Sequence, residues 1–450
     1  MSKEKIYKNL DWTMARTVIL AIIIGFLAAL AAKALLMAIH FFMNYFHPIP
    51  LDQLSGSTLS LLDVTSLCGF GLVVGLLTHY LMPKSANKGL SHVIEEIHFK
   101  KGHTSVREGF GVGLISAVSI GAGASVGRYG PAVHMGAAAG TGLSSLFKLE
   151  EQEKLTLSCA GMAAAIAASF SSPLAAVIFI QEVVLRQWRL YQFIPIAAAS
   201  VAGSELAIYL GANFSIPSGE VPDFVNLYEF LFFGIVGFAC GAVAIAFNHA
   251  LPRAIAFSAQ NIKIDNRLKP ALGGLLLAAI GFFFPTILGL GGHETQQAIA
   301  GNIALHLCLI LLVLKFVATI ISFSFGFNGG LFGPSLFMGA MLGAAIGLIV
   351  QGTGVSVASI SLYAIAGMGA MVAGVIGAVF AAIVALIEMT GKLSPSLPLL
   401  FSVTCTYVLI YLFEQSSILV RQLDARKKNP FKEIHARDEK YEGIKTESEE

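Results

Sequence analysis

Long apolar runs broken by short polar ones organise this chain. Uninterrupted stretches lie near 17–46, 59–82, 190–212, 224–251, 272–290 and 305–325, each close to or above the roughly 20 residues a helix needs to cross a bilayer. Four other apolar segments are interrupted. The stretch 110–124 is too short to span and runs into Gly121, Gly123 and Gly127; 155–180 is broken by Ser171, Ser172 and Pro173. The stretch 331–350 opens after Gly329 and Gly330, and 361–387 contains Gly367, Gly369, Gly374 and Gly377. In hydrocarbon, irregular backbone persists only where protein buries it or a water-filled cavity satisfies it. Several broken segments in one chain therefore predict helix ends that meet inside the membrane around a site. For any single glycine, close helix packing is the alternative, as at Gly136 and Gly140 with their GxxxG spacing. The predicted class is all-α integral membrane. Residues 1–16 form a polar N-terminal segment, 17–429 the membrane domain and 430–450 a charged tail expected to be disordered.

The chain also matches itself. Ala160-Gly161-Met162 recurs as Ala366-Gly367-Met368, and the same offset pairs Ala175-Ala176 with Ala381-Ala382 and Glu182 with Glu388. Upstream, Gly127-Arg128-Tyr129-Gly130-Pro131 corresponds to Gly330-Leu331-Phe332-Gly333-Pro334. Two blocks in the same order predict two repeat halves, about 59–212 and 224–413, with a site at their interface. The matches leave open whether the repeats are parallel or inverted.

Composition narrows the function. Hydrophobic residues make up 56% of the chain and charged ones only 12%, with mean hydropathy +0.75, about half the charge of a soluble domain. A net charge of +2 without a basic, aromatic-interleaved stripe argues against nucleic acid as a partner. The five cysteines sit singly in apolar runs and read as core residues, with no disulfide or metal spacing. The first apolar stretch is too long for a signal-peptide core. Lysines and arginines near both termini and in the loops, among them Lys3, Lys84, Lys88, Lys100, Arg253, Lys269, Arg421 and Arg426, predict a multi-pass cell-membrane protein, in the inner membrane if bacterial, with both termini cytoplasmic.

The two Gly-Pro motifs carry the chemistry. Proline fits the first turn of a helix and glycine permits a tight approach to it. The unpaired N–H groups and the positive dipole end of that turn then form an anion site without a charged side chain. Two such ends facing each other would hold one small anion; two ordinary proline-started helices are the alternative.

These motifs in order resemble the CLC family of chloride channels and anion/proton exchangers. The family's gate motif reads Gly-Arg-Glu-Gly-Pro and its second-half motif Gly-x-Phe-x-Pro. The stretch from Ser172-Pro173-Leu174-Ala175 to Glu182 is similar to its Pro-Leu-Ala helix, and Ala366 to Thr390 to the partner helix. The resemblance covers about 17–426. It implies a bundle of tilted and broken helices built from two inverted repeats, assembled as a homodimer. It also implies an anion pathway lined by Gly127, Arg128, Tyr129, Gly130 and Pro131 and by Gly330, Leu331, Phe332, Gly333 and Pro334, needing no cofactor.

Four departures from the family matter. Tyr129 stands where the gate glutamate would; a phenol with a pKa near 10 cannot shuttle protons as a carboxylate does, though its O–H can donate to an anion. Val183 occupies the position of the internal proton acceptor, with Glu182 one residue away, about 100° round an α-helix. Lys88 falls where a serine hydroxyl would touch the anion. It either binds the anion as a point charge or snorkels into a vestibule, and Ser91 is the weaker hydroxyl candidate. Leu419 replaces the inner tyrosine.

Other motifs point less far. His134 on the gate helix and His92, His98 and His103 read as packed or solvated groups. His293-Glu294 follows a glycine-rich loop and reads as structural. Gly123-Ala124-Ser125-Val126-Gly127 fits the hydrolase Gly-x-Ser-x-Gly pattern, which needs a strand before it and a helix after it; here it leads into the gate motif. The expected function is transport of chloride or another small monovalent anion such as bicarbonate, without obligatory proton coupling and without enzymatic activity. A proton-coupled exchanger with a different proton route, and a cation-coupled transporter of organic solutes, are the alternatives.

Overall fold

A computed structural model of the chain describes residues 3–46, 61–82, 89–211, 226–355, 359–413 and 416–431. Among these residues there is no strand, and seventeen α-helices follow one another. They are α1 (Lys3–Phe46), α2 (Leu61–Leu81), α3 (Leu90–Phe99), α4 (Val106–Gly121), α5 (Tyr129–Leu146), α6 (Glu151–Phe170), α7 (Pro173–Phe179), α8 (Leu190–Tyr209) and α9 (Glu229–Asn261). The second half continues with α10 (Lys269–Phe283), α11 (Gly292–Ile299), α12 (Leu305–Ser324), α13 (Phe332–Gly352), α14 (Ile360–Ile376), α15 (Val379–Thr390), α16 (Ser396–Phe413) and α17 (Ile418–Ala425). Stretches in α1, α9, α12, α13 and α16–α17 are long and apolar enough to cross a membrane.

Of the expected stretches, those near 17–46, 224–251 and 305–325 are long and apolar enough to cross, and so is 331–350; those near 59–82, 190–212 and 272–290 are not among these helices. Each expected stretch falls on a helix, with three shifts in bounds. The polar 3–16 segment continues the first span as one helix, and Arg16 is tied to Glu153 by two hydrogen bonds of 2.7 and 2.8 Å. Helix α9 extends past 251 to Asn261 despite Pro252. The stretch 272–290 divides at Phe284 into α10 and a 3₁₀ turn, Pro285–Ile287. The 430–450 tail falls almost wholly outside the described residues.

The glycine/alanine-rich helices α6 and α14 form the centre and are buried on nearly all sides, as helices apolar all round must be. Each packs on the helix before it through backbone-to-backbone contact. A Cβ at Gly136 would lie 2.2 Å from the Gly161 carbonyl oxygen, and one at Gly140 2.2 Å from that of Leu157. The second half repeats this: a Cβ at Gly339 would lie 2.3 Å from Gly367 O, and one at Gly343 2.1 Å from Tyr363 O. At Gly136 and Gly140 the packing alternative holds.

Both central helices stop at a left-handed residue, Ser171 (φ 54°) and Gly377 (φ 82°). The short helices α7 and α15 then begin, and each is capped by the other half. The Glu182 carboxylate accepts the N–H groups of Val379 (2.8 Å), Phe380 (3.1 Å) and Ala381 (2.9 Å) at the start of α15. Glu388 accepts those of Leu174 (3.0 Å) and Ala175 (2.9 Å) at the start of α7. The repeat-related glutamates thus satisfy each other's orphan donors.

Candidate functional site

The two Gly-Pro motifs meet. Gly127 and Gly330 exchange both backbone hydrogen bonds, N–H to O=C at 2.7 and 2.6 Å, as an isolated antiparallel bridge. Because the two chains run in opposite directions there, α5 and α13 start on either side of one point. Only glycine fits the contact: a Cβ on Gly330 would lie 2.8 Å from Gly130 N, and one on Gly127 3.0 Å from Gly333 N. The bridge occupies the N–H groups of Gly127 and Gly330, so those two do not face an anion. The next N–H groups, of Tyr129 and Gly130 and of Phe332 and Gly333, belong to first helical turns, which offer no intrahelical acceptor. Pro131 and Pro334 have no N–H; they fix the backbone of those turns.

Polar side chains of α12 hold the first-half loop. Ser125 N–H donates to Ser322 Oγ at 3.0 Å, and its hydroxyl pairs with Thr319 Oγ1 at 3.0 Å. Ser125 is thus a buried loop residue with no strand before it, and the hydrolase pattern lacks its required setting.

A cavity of about 560 Å³ reaches the bridge. Its lining includes Tyr129, Gly130, Phe170, Gly330, Leu331, Phe332 and Leu419 together with Lys269, Arg421 and Arg426, and no acidic side chain among the described residues. Such a one-sign lining concentrates anions. Three of the lining rings pack together. Tyr129 stacks on Phe170 with centroids 3.7 Å apart, and Phe332 meets Tyr129 edge-on at 5.6 Å and Phe170 at 4.6 Å. The donors at this point are N–H groups, which suit an anion and not a metal.

The remaining expected residues fall as follows. Arg128 sets its guanidinium 5.3 Å from the Tyr129 ring centroid and 3.5 Å from the Ser169 carbonyl oxygen, away from the cavity lining. Gly127, Pro131, Gly333 and Pro334 stand behind the lining residues. Lys88 lies outside the described residues. Ser91 is buried and donates to Gln422 Oε1 at 2.9 Å, so its hydroxyl is occupied, while Gly89 and Leu90 line the cavity. Val183 is buried in a π-helical turn, Ile180–Leu185. The 100° step of an α-helix therefore does not describe Glu182 and Val183; Glu182 is accounted for by its three cap hydrogen bonds instead. Phe170 and the basic part of the lining had no signal in the sequence, since neither belongs to a motif.

The model of the voltage-gated chloride channel family matches residues 70–410. The chain belongs to the CLC family. A ClcB-like chloride channel protein of Ralstonia nicotianae is 28% identical to this CLC chain over 362 residues, covering 78% of it and 83% of the relative. The H⁺/Cl⁻ exchange transporter ClcA of Citrobacter koseri is 33% identical over 303 residues, 64% of the CLC chain and 62% of the relative. The match thus spans less than two thirds of the exchanger's length. Among solved structures, a slow cyanobacterial Cl⁻/H⁺ antiporter superposes with a TM-score of 0.82 at 21% identity, over 91% of the CLC chain and 98% of its own. A CLC-type fluoride/proton antiporter gives 0.76 at 21% identity, over the same shares. The fold is accordingly the all-α CLC bundle of two halves.

Proposed function

We propose that this CLC chain carries a small monovalent anion, chloride in the first instance, across the membrane without obligatory proton coupling. The anion enters at Lys269, Arg421 and Arg426, and meets the first-turn N–H groups at the bridge. It then passes the ring of Tyr129. The observation that carries the uncoupled reading is the chemistry at the two ends of the proton route. A phenol stands at 129, an apolar side chain at 183, and the nearby Glu182 holds three N–H groups of α15. Leu419 lines the cavity in place of a tyrosine, and Tyr129 offers a phenol hydroxyl instead. A homodimer in the cell membrane with cytoplasmic termini belongs to the same reading.

The test is anion efflux from chloride-loaded liposomes, with and without a potassium ionophore and with external pH followed. Uncoupled transport requires the ionophore shunt and moves no protons. Proton uptake driven uphill by the chloride gradient overturns the proposal. In the same assay Tyr129→Phe should alter selectivity between chloride and bicarbonate, because it removes the O–H carried by the stacked rings.

A further inference from the structure

Away from the anion site, the densest group of ligating side chains lies where α3, α4 and α5 meet. His92 and Glu96 are one turn apart on α3, which puts them on one face, and Glu108 projects from the first turn of α4. One ligand atom from each of the three lies within 4.8 Å of the others. His92 Nε2 is 3.8 Å from a Glu96 oxygen, and its Nδ1 is 3.9 Å from one of Glu95. The His134 ring, from α5, packs 6.0 Å from that of His92. Glu96 and His134 are fully buried, and His92 is 9% exposed.

Glu95 and Glu96 are buried carboxylates. Burying a carboxylate is costly unless it is paired and hydrogen-bonded. Glu96 receives Lys100 Nζ on one oxygen, at 3.0 Å, and Glu95 is held by Lys428. The second oxygen of Glu96, equally buried, meets no hydrogen-bond donor among the described residues. Lys100 is half exposed and able to swing out.

We propose that His92, Glu96 and Glu108 bind a divalent transition-metal ion of the Zn²⁺ class. One imidazole nitrogen with two carboxylates suits Zn²⁺, Mn²⁺ or Fe²⁺, whereas Ca²⁺ and Mg²⁺ take oxygen ligands alone. Bonds of about 2.0–2.2 Å to Zn²⁺ would draw the three ligand atoms roughly an ångström closer together, within the range of side-chain rotation. The ion would displace Lys100 from the Glu96 oxygen that faces His92. It would also fasten α3 to α4. Since Gly89 and Leu90 at the start of α3 line the cavity, bound metal should alter anion flux. That consequence rests on the proposed transport function; the binding itself does not.

No metal-ligand spacing marks this set along the chain, because Glu108 belongs to the next helix. The test uses the full chain in detergent, stripped with a chelator and titrated with Zn²⁺ calorimetrically and with Co²⁺ by visible absorption. The expected result is one Zn²⁺ per chain, a Co²⁺ d–d band, and affinity lowered by more than about tenfold in His92→Gln and in Glu108→Gln, the scale on which even outer-shell partners act. Lys100→Met keeps all three ligands and removes the competing ammonium, so it should bind Zn²⁺ more tightly. It also serves as the test if either ligand variant fails to fold. Absence of saturable Zn²⁺ binding overturns the proposal, as does affinity unchanged in the ligand variants or not raised in Lys100→Met. Metal binding without transport would instead leave the site standing and count against the transport reading alone.

Discussion

Glutamine at position 182 separates a structural carboxylate from a proton carrier. One oxygen of Glu182 accepts two N–H groups and the other accepts the Ala381 N–H. In Glu182→Gln the amide oxygen can keep the first two, and the NH₂ group then faces the Ala381 N–H. One buried donor is left unsatisfied, costing about 1–3 kcal/mol, and the loss of negative charge at a helix N-terminus costs about 0.3–2 kcal/mol more. Glu388→Gln should cost a similar amount, because Glu388 has one N–H on each oxygen and likewise loses one of them. The assay is the unfolding midpoint of purified protein in detergent, run beside efflux normalised to folded protein. Both variants should lower the midpoint together and leave flux per folded molecule nearly unchanged. An unshifted midpoint in Glu182→Gln would refute the cap reading. So would flux lost in Glu182→Gln and kept in Glu388→Gln, because the two glutamates would then have different roles.

Two further substitutions test the site itself. Gly330→Ala places a Cβ 2.8 Å from Gly130 N and must break the reciprocal bridge, so liposome flux should be lost. Gly352→Ala, which meets open space, should leave flux intact, and equal behaviour of the two variants would count against the bridge. Leu419→Tyr restores a hydroxyl to the lining and narrows the cavity. Efflux should slow and chloride should gain over bicarbonate, as measured in parallel liposome assays; an unchanged rate and selectivity would place the pathway elsewhere.

The apolar spans were legible because length and hydropathy are local properties, and the breaks at Ser171–Pro173 and Gly377 were legible because proline and left-handed glycine punctuate a helix locally. The repeat carried more. The offset pairs Glu182 with Glu388, and the reciprocal caps supply the reason. Other features depend on how distant helix ends meet, which no periodicity encodes. The hydrogen bonds between Gly127 and Gly330 are one example and the stacking of Phe170 on Tyr129 another. The convergence of Lys269 with Arg421 and Arg426, from α10 and α17, is of the same kind. The second-half contacts at Gly339 and Gly343 repeat the Gly136 and Gly140 spacing and are legible by the same rule.

The Gly127–Gly330 bridge also has a bearing on biosynthesis. Its two strands lie 203 residues apart in the sequence, and the caps at Glu182 and Glu388 join equally distant parts. When the ribosome has delivered only the first half, the start of α5 has no partner strand and the start of α7 has no carboxylate. Neither half contains the site by itself. On the proposed function, the anion-binding point comes into being late, when the second half inserts and docks.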